Sequence, residues 1–541
     1  MSSFKQLGGN PDWWRGGAIY QIYPRSYQDS TGDGIGDIPG IISRLDHIQS
    51  LGVEAIWISP FFKSPMKDFG YDVSDYRDID PMFGTLNDFD RLILEAHKRG
   101  LRIIIDLVLS HSSDQHAFFQ ESKQSRDNPK SDWYVWADPK PDGTPPNNWL
   151  SIFGGSAWEW NAKREQYYLH NFLTSQPDLN LHNMDVQNEI LDITRFWLDR
   201  GVDGYRLDTI NFYFADKELR DNPALPPEKR NSTIAPSVNP YNHQEHIYSK
   251  NQPENLVFLE RFRALLDEYP ATTIVGELGE AQRGLEMLGE YTRGNSRAHM
   301  CYAFEFLSGD HMNAERASNI LNDFKTRSQG GTACWAFSNH DVTRHKTRWG
   351  LSDSEAKLVL SMLVAMPGAF CIYQGEEFGF HEAEVAFDDL QDPYGITFWP
   401  EYKGRDGCRT PMPWTNNGAN GGFSEGKPWL PVSAAHIETL EMERLNDEGI
   451  LAHYREMIGL RNAQEVLQNG NFEVSHNGLN ELTIRRFSND GEIIAMFNFG
   501  VDGAQFTLPS GSNWEIISGG TKPQDSKINV AAKEAVFVKK V

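Results

Sequence analysis

The sequence has few cysteines and no long uninterrupted apolar run. Its cysteines are Cys301, Cys334, Cys371 and Cys408. Four in 541 residues is far below the density of a secreted scaffold built on disulfides, so a reducing compartment is expected. The longest apolar stretch, residues 358–373, is broken by Pro367 and Gly368 and falls short of the ~20 residues that span a bilayer. It indicates a helix followed by a buried strand.

Basic residues are in deficit as well. Lys plus Arg number 51 against 75 Asp plus Glu, a net charge of −24. Such a charge repels phosphate backbones and anionic lipid headgroups, so neither nucleic acid nor a membrane surface is an expected partner. The opening residues, MSSFKQLGGNPDWWRGG, contain no apolar segment of the length that a secretory signal needs. A cytoplasmic protein is therefore predicted.

Length and pattern predict an enzyme of the α/β class. The chain is too long for one compact core, which favours a large domain with smaller companions. Short β-branched and aromatic runs alternate with amphipathic helical stretches, the order that gives a parallel sheet covered by helices. The runs lie at 18–24, 55–59, 102–111, 201–209, 273–278, 301–306, 333–341 and 368–377. Eight strands with helices between them predict a (β/α)8 TIM barrel.

Helix boundaries can also be read from the sequence. Thr85 followed by Asp88 resembles a capping box, and Gly100 is expected to end the helix that starts there. A second helix is expected to end at Gly201, directly before the fourth strand.

The remaining length predicts an inserted subdomain and a C-terminal domain. After His111 the periodicity gives way to Trp, Pro, Asn and Gly, which indicates an insertion in the third βα loop. From about Asn469, short alternating runs separated by turn residues predict an antiparallel β domain. We expect a barrel in two parts, an inserted subdomain and a C-terminal antiparallel β domain, at 1–111 with 182–468, 112–181 and 469–541 respectively.

Three of the eight predicted strand ends carry an acid. Asp208 ends the fourth strand, Glu277 the fifth and Asp341 the seventh, and catalytic groups of such barrels lie at these ends. Arg206 faces the same side of its strand as Asp208 and is expected to lower the pKa of that carboxylate. Glu277 follows apolar residues, whose desolvating effect is expected to raise its pKa. One such acid could equally be a salt-bridge partner or an N-cap; three with an arginine favour glycoside cleavage.

Signature segments carry a resemblance to the α-amylase family, glycoside hydrolase family 13. The segments GYRLDT, VGELGE and FSNHD contain the three acids, and DLVLSH supplies His111. The segment QPDLN at 176–180 resembles one typical of the oligo-1,6-glucosidase and α-glucosidase branch. The resemblance extends, in order, from residue 18 to residue 414.

The resemblance implies a retaining, exo-acting α-glucosidase that releases α-glucose from short substrates. Asp208 would be the nucleophile, Glu277 the general acid/base and Asp341 the transition-state stabiliser, with no cofactor in the chemistry. Water or another sugar would resolve the glucosyl-Asp208 intermediate. The expected substrate-binding residues are Asp68, Tyr71, His111, Phe153, Phe172, Arg206, Thr209, His340 and Arg409.

Some of these residues carry finer expectations. Asp68 and Arg409 resemble the family pair that closes over the non-reducing end of the sugar. Thr209 stands where Val is frequent in members that cleave α-1,6 bonds, which favours maltose-like, α-1,4-linked substrates. Phe153 and Phe172 could equally be core residues. The segment 380–403, long and rich in Asp, Pro and aromatics, is expected to fold over the entrance and limit substrate length.

A structural metal ion is predicted in the segment DSTGDGIGD. Oxygen ligands would come, at alternate positions, from Asp29, Thr31, Asp33, Ile35 and Asp37. The spacing matches the first nine positions of an EF-hand loop, although position twelve would be Gly40. Relatives carry a calcium or magnesium ion in a similar loop, and a metal-free Asp/Gly turn is the alternative. Ser110 replaces an Asn that helps to bind another calcium ion in many relatives, which puts that second site in doubt.

Other functions stay open at this point. A sucrose hydrolase, a sucrose isomerase or a transglucosidase of the same family would share the covalent intermediate. A non-catalytic relative, such as the ancillary ectodomain of an amino-acid transporter, would need a membrane anchor and would lack part of the triad. This chain keeps all three acids as well as His111 and His340. A small sugar is the expected partner, and a monomer or homodimer the expected state.

Overall fold

The computed structural model describes residues 5–302, 304–520 and 526–541. Its largest sheet consists of β1 Ala18–Ile22, β2 Ala55–Ile58, β3 Arg102–Leu107, β4 Gly204–Leu207, β5 Thr273–Glu277, β6 Met300–Tyr302, β7 Cys334–Ala336 and β8 Ala369–Tyr373. The order is β6-β5-β4-β3-β2-β1-β8-β7, with every neighbouring pair parallel. A parallel bridge between Cys301 and Ala333 brings β6 against the start of β7. The predicted (β/α)8 barrel is confirmed.

Each predicted run overlaps a barrel strand, but the strands end earlier than the runs do. Residues 304–307 form a turn in which the Leu307 N–H donates to the Phe304 carbonyl. The expectation that the sixth strand continues to residue 306 is therefore wrong, and Ala303 lies outside the described residues. The polarity of the residues after a strand end depends on which surface they line, and it need not change where the strand ends. Composition alone therefore did not show where the pairing of the strands stops.

Helices connect and cover the strands. They are α1 Ile38–Ser43, α2 Leu45–Ser50, α3 Leu86–Lys98, α4 Ala117–Ser122, α5 Met184–Leu198, α6 Glu254–Leu266, α7 Gly284–Thr292, α8 Ala314–Arg327, α9 His345–Arg348, α10 Asp353–Ala365, α11 Pro393–Phe398, α12 Asp406–Arg409, α13 Ala434–Arg444, α14 Ile450–Ala463 and α15 Glu465–Asn469. Short 3₁₀ helices lie at Trp13–Arg15, Pro24–Ser26, Ile210–Phe212, Pro227–Lys229, Pro240–His243, Glu376–Phe378, Phe387–Asp389 and Ala419–Gly422. The Thr85–Asp88 capping box of α3 is confirmed. Gly100 and Gly201 follow α3 and α5 with φ angles of 75° and 89°, a conformation in which glycine is favoured.

The barrel is interrupted after β3 and extended after α15. Between β3 and α5 lies a small antiparallel sheet of Trp136–Ala137, Gln166–Leu169 and Trp158–Asn161, and a two-stranded pair, Phe62–Lys63 with Asp75–Ile79, follows β2. The C-terminal strands are β9 Asn471–Asn477, β10 Glu481–Phe487, β11 Glu492–Asn498, β12 Ala504–Thr507, β13 Trp514–Ser518, β14 Lys527–Val530 and β15 Ala535–Lys540. They form an antiparallel sheet of order β9-β10-β11-β15-β13 and the antiparallel pair β12-β14. The inserted subdomain and the C-terminal β domain are confirmed as features of the fold, whereas their boundary residues stay predictions.

The C-terminal sheet is joined to the barrel by a buried arginine. Arg486 of β10 has no exposed surface and donates to the carbonyl oxygens of Ala365 and Met366 at 3.0 and 2.8 Å. These carbonyls end α10, where helix geometry leaves acceptors without intrahelical partners. All four cysteines are buried and without a disulfide. Among the described residues no helix is both long and apolar enough to cross a membrane.

Candidate active site

A cavity of about 680 Å³ opens at the C-terminal ends of the barrel strands. The predicted residues that line it are Asp68, Tyr71, His111, Phe153, Phe172, Asp208, Thr209, Glu277 and Asp341. The other three, Arg206, His340 and Arg409, are almost completely buried and contact the lining residues from behind. The fold therefore brings Asp68 and the three predicted catalytic acids to one cavity.

One guanidinium group joins the strand-end acids. Nη1 of Arg206 lies 2.6 Å from Oδ1 of Asp208, and its Nη2 lies 2.5 Å from Oε2 of Glu277. Nη1 also donates to Asp106 of β3 at 2.8 Å, and Nη2 to the Tyr302 hydroxyl at 2.8 Å. The planar group offers donors in a fixed fork, so it holds carboxylates from three neighbouring strands in one fixed arrangement.

The pKa values of the two joined acids shift in the same direction. Burial raises the pKa of Asp208 to about 7, with Arg206 opposing the shift and Asp106 adding to it. Burial likewise raises the pKa of Glu277 to about 7, again against Arg206. Arg206 acts to lower the pKa of Asp208, as expected, but the expectation that this effect holds Asp208 ionised is wrong, because burial outweighs it and one guanidinium serves several carboxylates. The expected rise in the pKa of Glu277 is present.

Asp341 behaves differently from the other two acids. Burial acts to raise its pKa, but His340, Arg405 and Arg409 outweigh that effect and hold the pKa well below the ordinary range. Its Oδ1 lies 2.8 Å from Nη2 of Arg409 and 3.2 Å from Nη1 of Arg405. Asp341 is thus an ionised group at neutral pH.

The ion pair on Asp68 comes from an arginine that the sequence analysis did not single out. Nη2 of Arg405 lies 2.9 Å from Oδ1 of Asp68 and 2.8 Å from Oδ1 of Asp392. Arg409, the predicted partner of Asp68, instead pairs with Asp341 and donates its Nε to the His340 carbonyl at 2.7 Å. Arg405 precedes Arg409 by one helical turn, a spacing that places two side chains on the same side of a helix. That spacing could have identified Arg405 as a second candidate partner of Asp68.

The two histidines are neutral and held by the protein. Nδ1 of His340 lies 2.7 Å from Nε2 of Gln21, and its Nε2 lies 2.5 Å from the Tyr71 hydroxyl, whose ring stacks on the imidazole. Burial lowers the pKa of His340 to about 3 and that of His111 to about 4. Of the two, His111 faces the cavity and His340 supports Tyr71 and Asp341.

A chain of hydroxyl groups leads away from Asp208. The Thr209 hydroxyl donates to Oδ2 of Asp208 at 3.2 Å and lies 3.1 Å from the Ser110 hydroxyl. Ser110 in turn lies 2.8 Å from Nδ1 of His111. Ser110, which replaces the usual Asn, therefore links Thr209 to His111 through hydrogen bonds.

Aromatic side chains form one wall of the cavity. Phe153 packs against Phe172 and Tyr394 with ring centroids 6.3 and 4.8 Å apart. Tyr394 and Tyr402 belong to the segment that was expected to cover the entrance, and both line the cavity. Aromatic faces pack well on the apolar face of a pyranose ring. Phe212 also lines the wall, and sequence reasoning missed it because it lies in a 3₁₀ turn without periodicity.

The segment predicted to hold a metal ion forms a tight loop. Asp29 accepts three backbone N–H groups of this loop, Asp33 is exposed, and Asp37 caps α1. Among the residues described, no three His, Cys, Asp or Glu side chains converge on a point that could hold a metal ion. An ion here would also need the Thr31 hydroxyl and the Ile35 carbonyl, oxygen donors that suit calcium or magnesium. The ion stays a prediction.

Comparison with known proteins identifies the family. The model of the alpha-amylase catalytic domain matches residues 21–470, which include the barrel strands from Gln21 onward and every acid described above. The chain belongs to the alpha-amylase family. It is accordingly an enzyme of the glycoside hydrolase class.

Relatives of this alpha-amylase family member are similar along nearly their whole length. A probable alpha-glucosidase of Rhizobium meliloti is 60% identical over 503 residues, 92% of this chain and 91% of that protein. An oligo-1,6-glucosidase of Heyndrickxia coagulans is 36% identical over 94% and 96% of the two chains. The crystal structure of an alpha-glucosyl transfer enzyme, XgtA, has a TM-score of 0.93 at 51% identity and covers 98% of this chain and 99% of that one. The trehalulose synthase MutB of Pseudomonas mesoacidophila gives 0.87 at 30%, covering 98% and 100%.

Proposed function

We propose that this protein is an exo-acting α-glucosidase that works with retention of configuration on short, α-1,4-linked glucosides such as maltose. Asp208 is the nucleophile, Glu277 the general acid/base and Asp341 the transition-state stabiliser. The observation that carries the proposal is the Arg206 guanidinium, which bonds one oxygen of Asp208 and one of Glu277 at the wall of the cavity. Retaining enzymes place two carboxyl groups close together, about 5–5.5 Å apart.

The reaction takes place in two steps. An Asp208 oxygen attacks the anomeric carbon while Glu277 gives its proton to the departing glycosidic oxygen, which leaves a β-glucosyl ester on Asp208. Forming the ester removes the negative charge of Asp208, a charge that contributes to the raised pKa of Glu277. Glu277 then becomes a stronger acid, stays ionised, and takes a proton from the water that cleaves the ester. The product is α-glucose.

The residues that hold one wall of the cavity in place support the proposal of short substrates. The Arg405 ion pairs with Asp68 and Asp392 fix the segment that supplies Tyr394 and Tyr402 to the wall. A wall fixed in this way favours a short sugar over the interior of a polymer, in accord with exo action. Relatives bear the names probable alpha-glucosidase and oligo-1,6-glucosidase, which supports a glucoside substrate. A cytoplasmic location and a monomeric or homodimeric state stay predictions.

Product analysis by NMR tests the proposal. Maltose, isomaltose, sucrose and soluble starch are incubated with the enzyme in parallel, and the anomeric signals are followed from the first minutes. We expect maltose to be consumed fastest and starch slowest. The reducing-end glucose of maltose is released as its equilibrium mixture of anomers, so the test is the excess: early glucose should contain more of the α-anomer than this half supplies. Faster turnover of isomaltose than of maltose would contradict the linkage assignment. An early excess of β-glucose over that contribution would contradict the retaining mechanism.

Transfer of glucose is the second candidate activity. The similarity to an alpha-glucosyl transfer enzyme at 51% identity and a TM-score of 0.93 favours it, and several similar structures are sucrose-converting synthases. The same covalent intermediate serves both outcomes, since water and a sugar hydroxyl compete for it. New glycosidic signals that grow with maltose concentration would show transfer, and isomerised sucrose would favour the alternative substrate class.

A further inference from the structure

Asn211 joins the two strand ends that carry the proposed catalytic carboxylates. It lies three residues after Asp208, in the 3₁₀ helix Ile210–Phe212, and has no exposed surface. Its Oδ1 accepts the N–H of Gly279 at 3.1 Å, and its Nδ2 donates to the carbonyl of the same residue at 3.2 Å. One side-chain amide therefore binds both backbone groups of a residue that follows Glu277 by two positions.

A buried lysine reinforces this contact. Lys250 is 2% exposed, and its ammonium group donates to the Gly279 carbonyl at 2.5 Å. The same Nζ lies 3.7 Å from the Glu280 carboxylate and 4.8 Å from the centroid of the Phe212 ring. A buried charge is costly unless it is paired, so the lysine is held where the carbonyl, the carboxylate and the ring converge.

Asn251 closes the network. Its backbone N–H donates to the Asn211 carbonyl at 2.8 Å, and its Oδ1 accepts from Nδ2 of Asn211 at 2.7 Å. Its Nδ2 donates to Oε2 of Glu280 at 2.7 Å. Asn211, Lys250, Asn251, Gly279 and Glu280 are called the inter-strand clamp below.

The clamp spans a strained residue between the two acids. Thr209 has φ 39° and ψ 51°, the left-handed region, which a β-branched side chain rarely adopts. Such a conformation persists only where the surrounding contacts enforce it. In this conformation the Thr209 backbone N–H donates to Oε2 of Glu277 at 3.1 Å. The strained turn thus directs a donor at the proposed acid/base.

We propose that the inter-strand clamp positions Glu277 for proton transfer to the departing oxygen, by fixing Gly279 against Asn211 and by holding Thr209 in its strained turn. The clamp residues are positioning residues that act through Glu277. The inference rests on the proposed function, in which Glu277 is the general acid/base. Loss of the clamp should therefore impair substrates that need a proton on the leaving group more than substrates that do not.

Two substrates separate this effect from a general loss of activity. The leaving group of maltose is a glucose molecule, whose departing oxygen needs the proton of Glu277. The leaving group of α-glucosyl fluoride is fluoride, which departs without a proton. The variants are Lys250→Met, which keeps the length of the side chain and removes its charge, and Asn211→Ala. The control is Lys346→Met, which removes another buried ammonium, one bound to Gly379 and Asp353. Circular dichroism and thermal melting check the fold of each variant.

General acid catalysis contributes about 10²–10⁴-fold, so we expect kcat/KM on maltose to fall at least about tenfold in each folded clamp variant. On α-glucosyl fluoride kcat/KM should stay within about threefold of wild type, and the control should keep both values. If Lys250→Met does not fold, the kcat/KM values of Asn211→Ala on the two substrates decide the test. An equal loss on both substrates, or no loss, overturns the inference. A wild-type protein inactive on both substrates would instead refute the proposed function.

Discussion

Arg206 contacts both proposed catalytic carboxylates and affects their pKa values in the same direction. Because it bonds Asp208 and Glu277 alike, it cannot by itself keep one ionised and the other protonated. Burial raises both pKa values to about 7, and two interacting sites at similar pKa titrate as a pair. The proposed mechanism needs this pair to hold one proton near neutral pH, and it needs that proton on Glu277.

The activity of the protein on maltose should therefore be bell-shaped against pH, with its maximum near pH 7. At lower pH Asp208 is protonated and loses its nucleophilicity, and at higher pH Glu277 loses the proton it must donate. Stopped assays of kcat/KM across the pH range give the measurement. Residual activity of Glu277→Gln should lack the alkaline limb, since an amide does not titrate. A maximum near the ordinary carboxyl pKa of about 4 would contradict the raised values.

Thr209 should influence the choice of linkage. In Thr209→Val the hydrogen bonds to Asp208 and Ser110 are lost while the side chain keeps its shape. We expect kcat/KM on isomaltose relative to maltose to rise at least about threefold, a difference of the size that one such contact can make. Thr209→Ser retains the hydroxyl and serves as the matched control. An unchanged ratio in Thr209→Val would show that linkage preference lies elsewhere.

Single residues were predictable where a strand end fixes their position. Asp208 and Glu277 follow directly from the rule that catalytic groups lie at the C-terminal ends of barrel strands. Asp106 and Arg405 were missed because their importance depends on partners far along the chain, such as Arg206 in the case of Asp106. The upward pKa shift of Asp208 was missed for the same reason, since burial and charge sharing follow from the assembled cavity.

Among the elements, the loop at 29–37 has two alternative roles, a metal-binding loop and a metal-free turn. The oxygen donors alternate as a calcium loop requires, yet Asp29 is already surrounded by backbone N–H groups and Asp37 caps α1. Either role is compatible with the sequence, because Asp/Gly turns and metal loops use the same residues.

Thermal melting decides between the two roles of this loop. We expect millimolar Ca²⁺ or Mg²⁺ to raise the Tm of EDTA-treated protein, because an ion that binds only the folded state adds stability as RT ln(1 + [L]/Kd). The variant Asp33→Ala should lose this response and keep the fold, since within the part of the chain that the structure describes the Asp33 carboxylate accepts only the Ile35 N–H. Equal Tm values with EDTA and with either ion would establish the metal-free turn.

Helix ends were more predictable than strand ends. The Thr85–Asp88 capping box and the glycines after α3 and α5 act through local geometry, which the sequence carries directly. A parallel strand stops where its neighbour stops pairing, and that depends on a distant part of the chain, as in the pairing of Ile19 with Ala55 or of Ala18 with Phe370. The predicted runs therefore located each barrel strand and overestimated its length.

At the scale of the whole molecule, the C-terminal sheet and the barrel share a buried polar contact. Arg486 binds the carbonyls that end α10 and also the Gly470 carbonyl at 2.8 Å. Ala365 and Met366 precede β8, at the end of the barrel opposite the cavity. The contact should therefore affect the stability of the fold and not the chemistry of the active site.

Replacing Arg486 should accordingly destabilise the fold without changing the site. In Arg486→Met several buried carbonyls lose their donor, which should cost about 2–4 kcal/mol of unfolding free energy. Arg485→Met, on the exposed side of the same strand with Glu473 and Glu492 as partners, should cost under about 1 kcal/mol. Chemical denaturation measures both, and kcat at a temperature where both fold should match wild type. Equal stability of the two variants would remove Arg486 from this role.

The overall architecture was largely predictable because periodicity alone distinguishes alternating parallel strands and helices from an antiparallel tail. Composition also located the insertion after β3, although it could not show that His111 pairs with Asp178 across it. Domain boundaries stay predictions, since the chain passes from one unit to the next through short connections such as Gly470 between α15 and β9.

The identity of the nucleophile is the central claim, and trapping the intermediate tests it most directly. The protein is incubated with 5-fluoro-α-glucosyl fluoride, which allows the first step and slows the second, then digested and analysed by peptide mass spectrometry. If Asp208 is the nucleophile, one fluoroglucosyl group is expected on the peptide that contains Asp208, and none in Asp208→Asn. A label on another residue, or hydrolysis by Asp208→Asn at the wild-type rate, would contradict it.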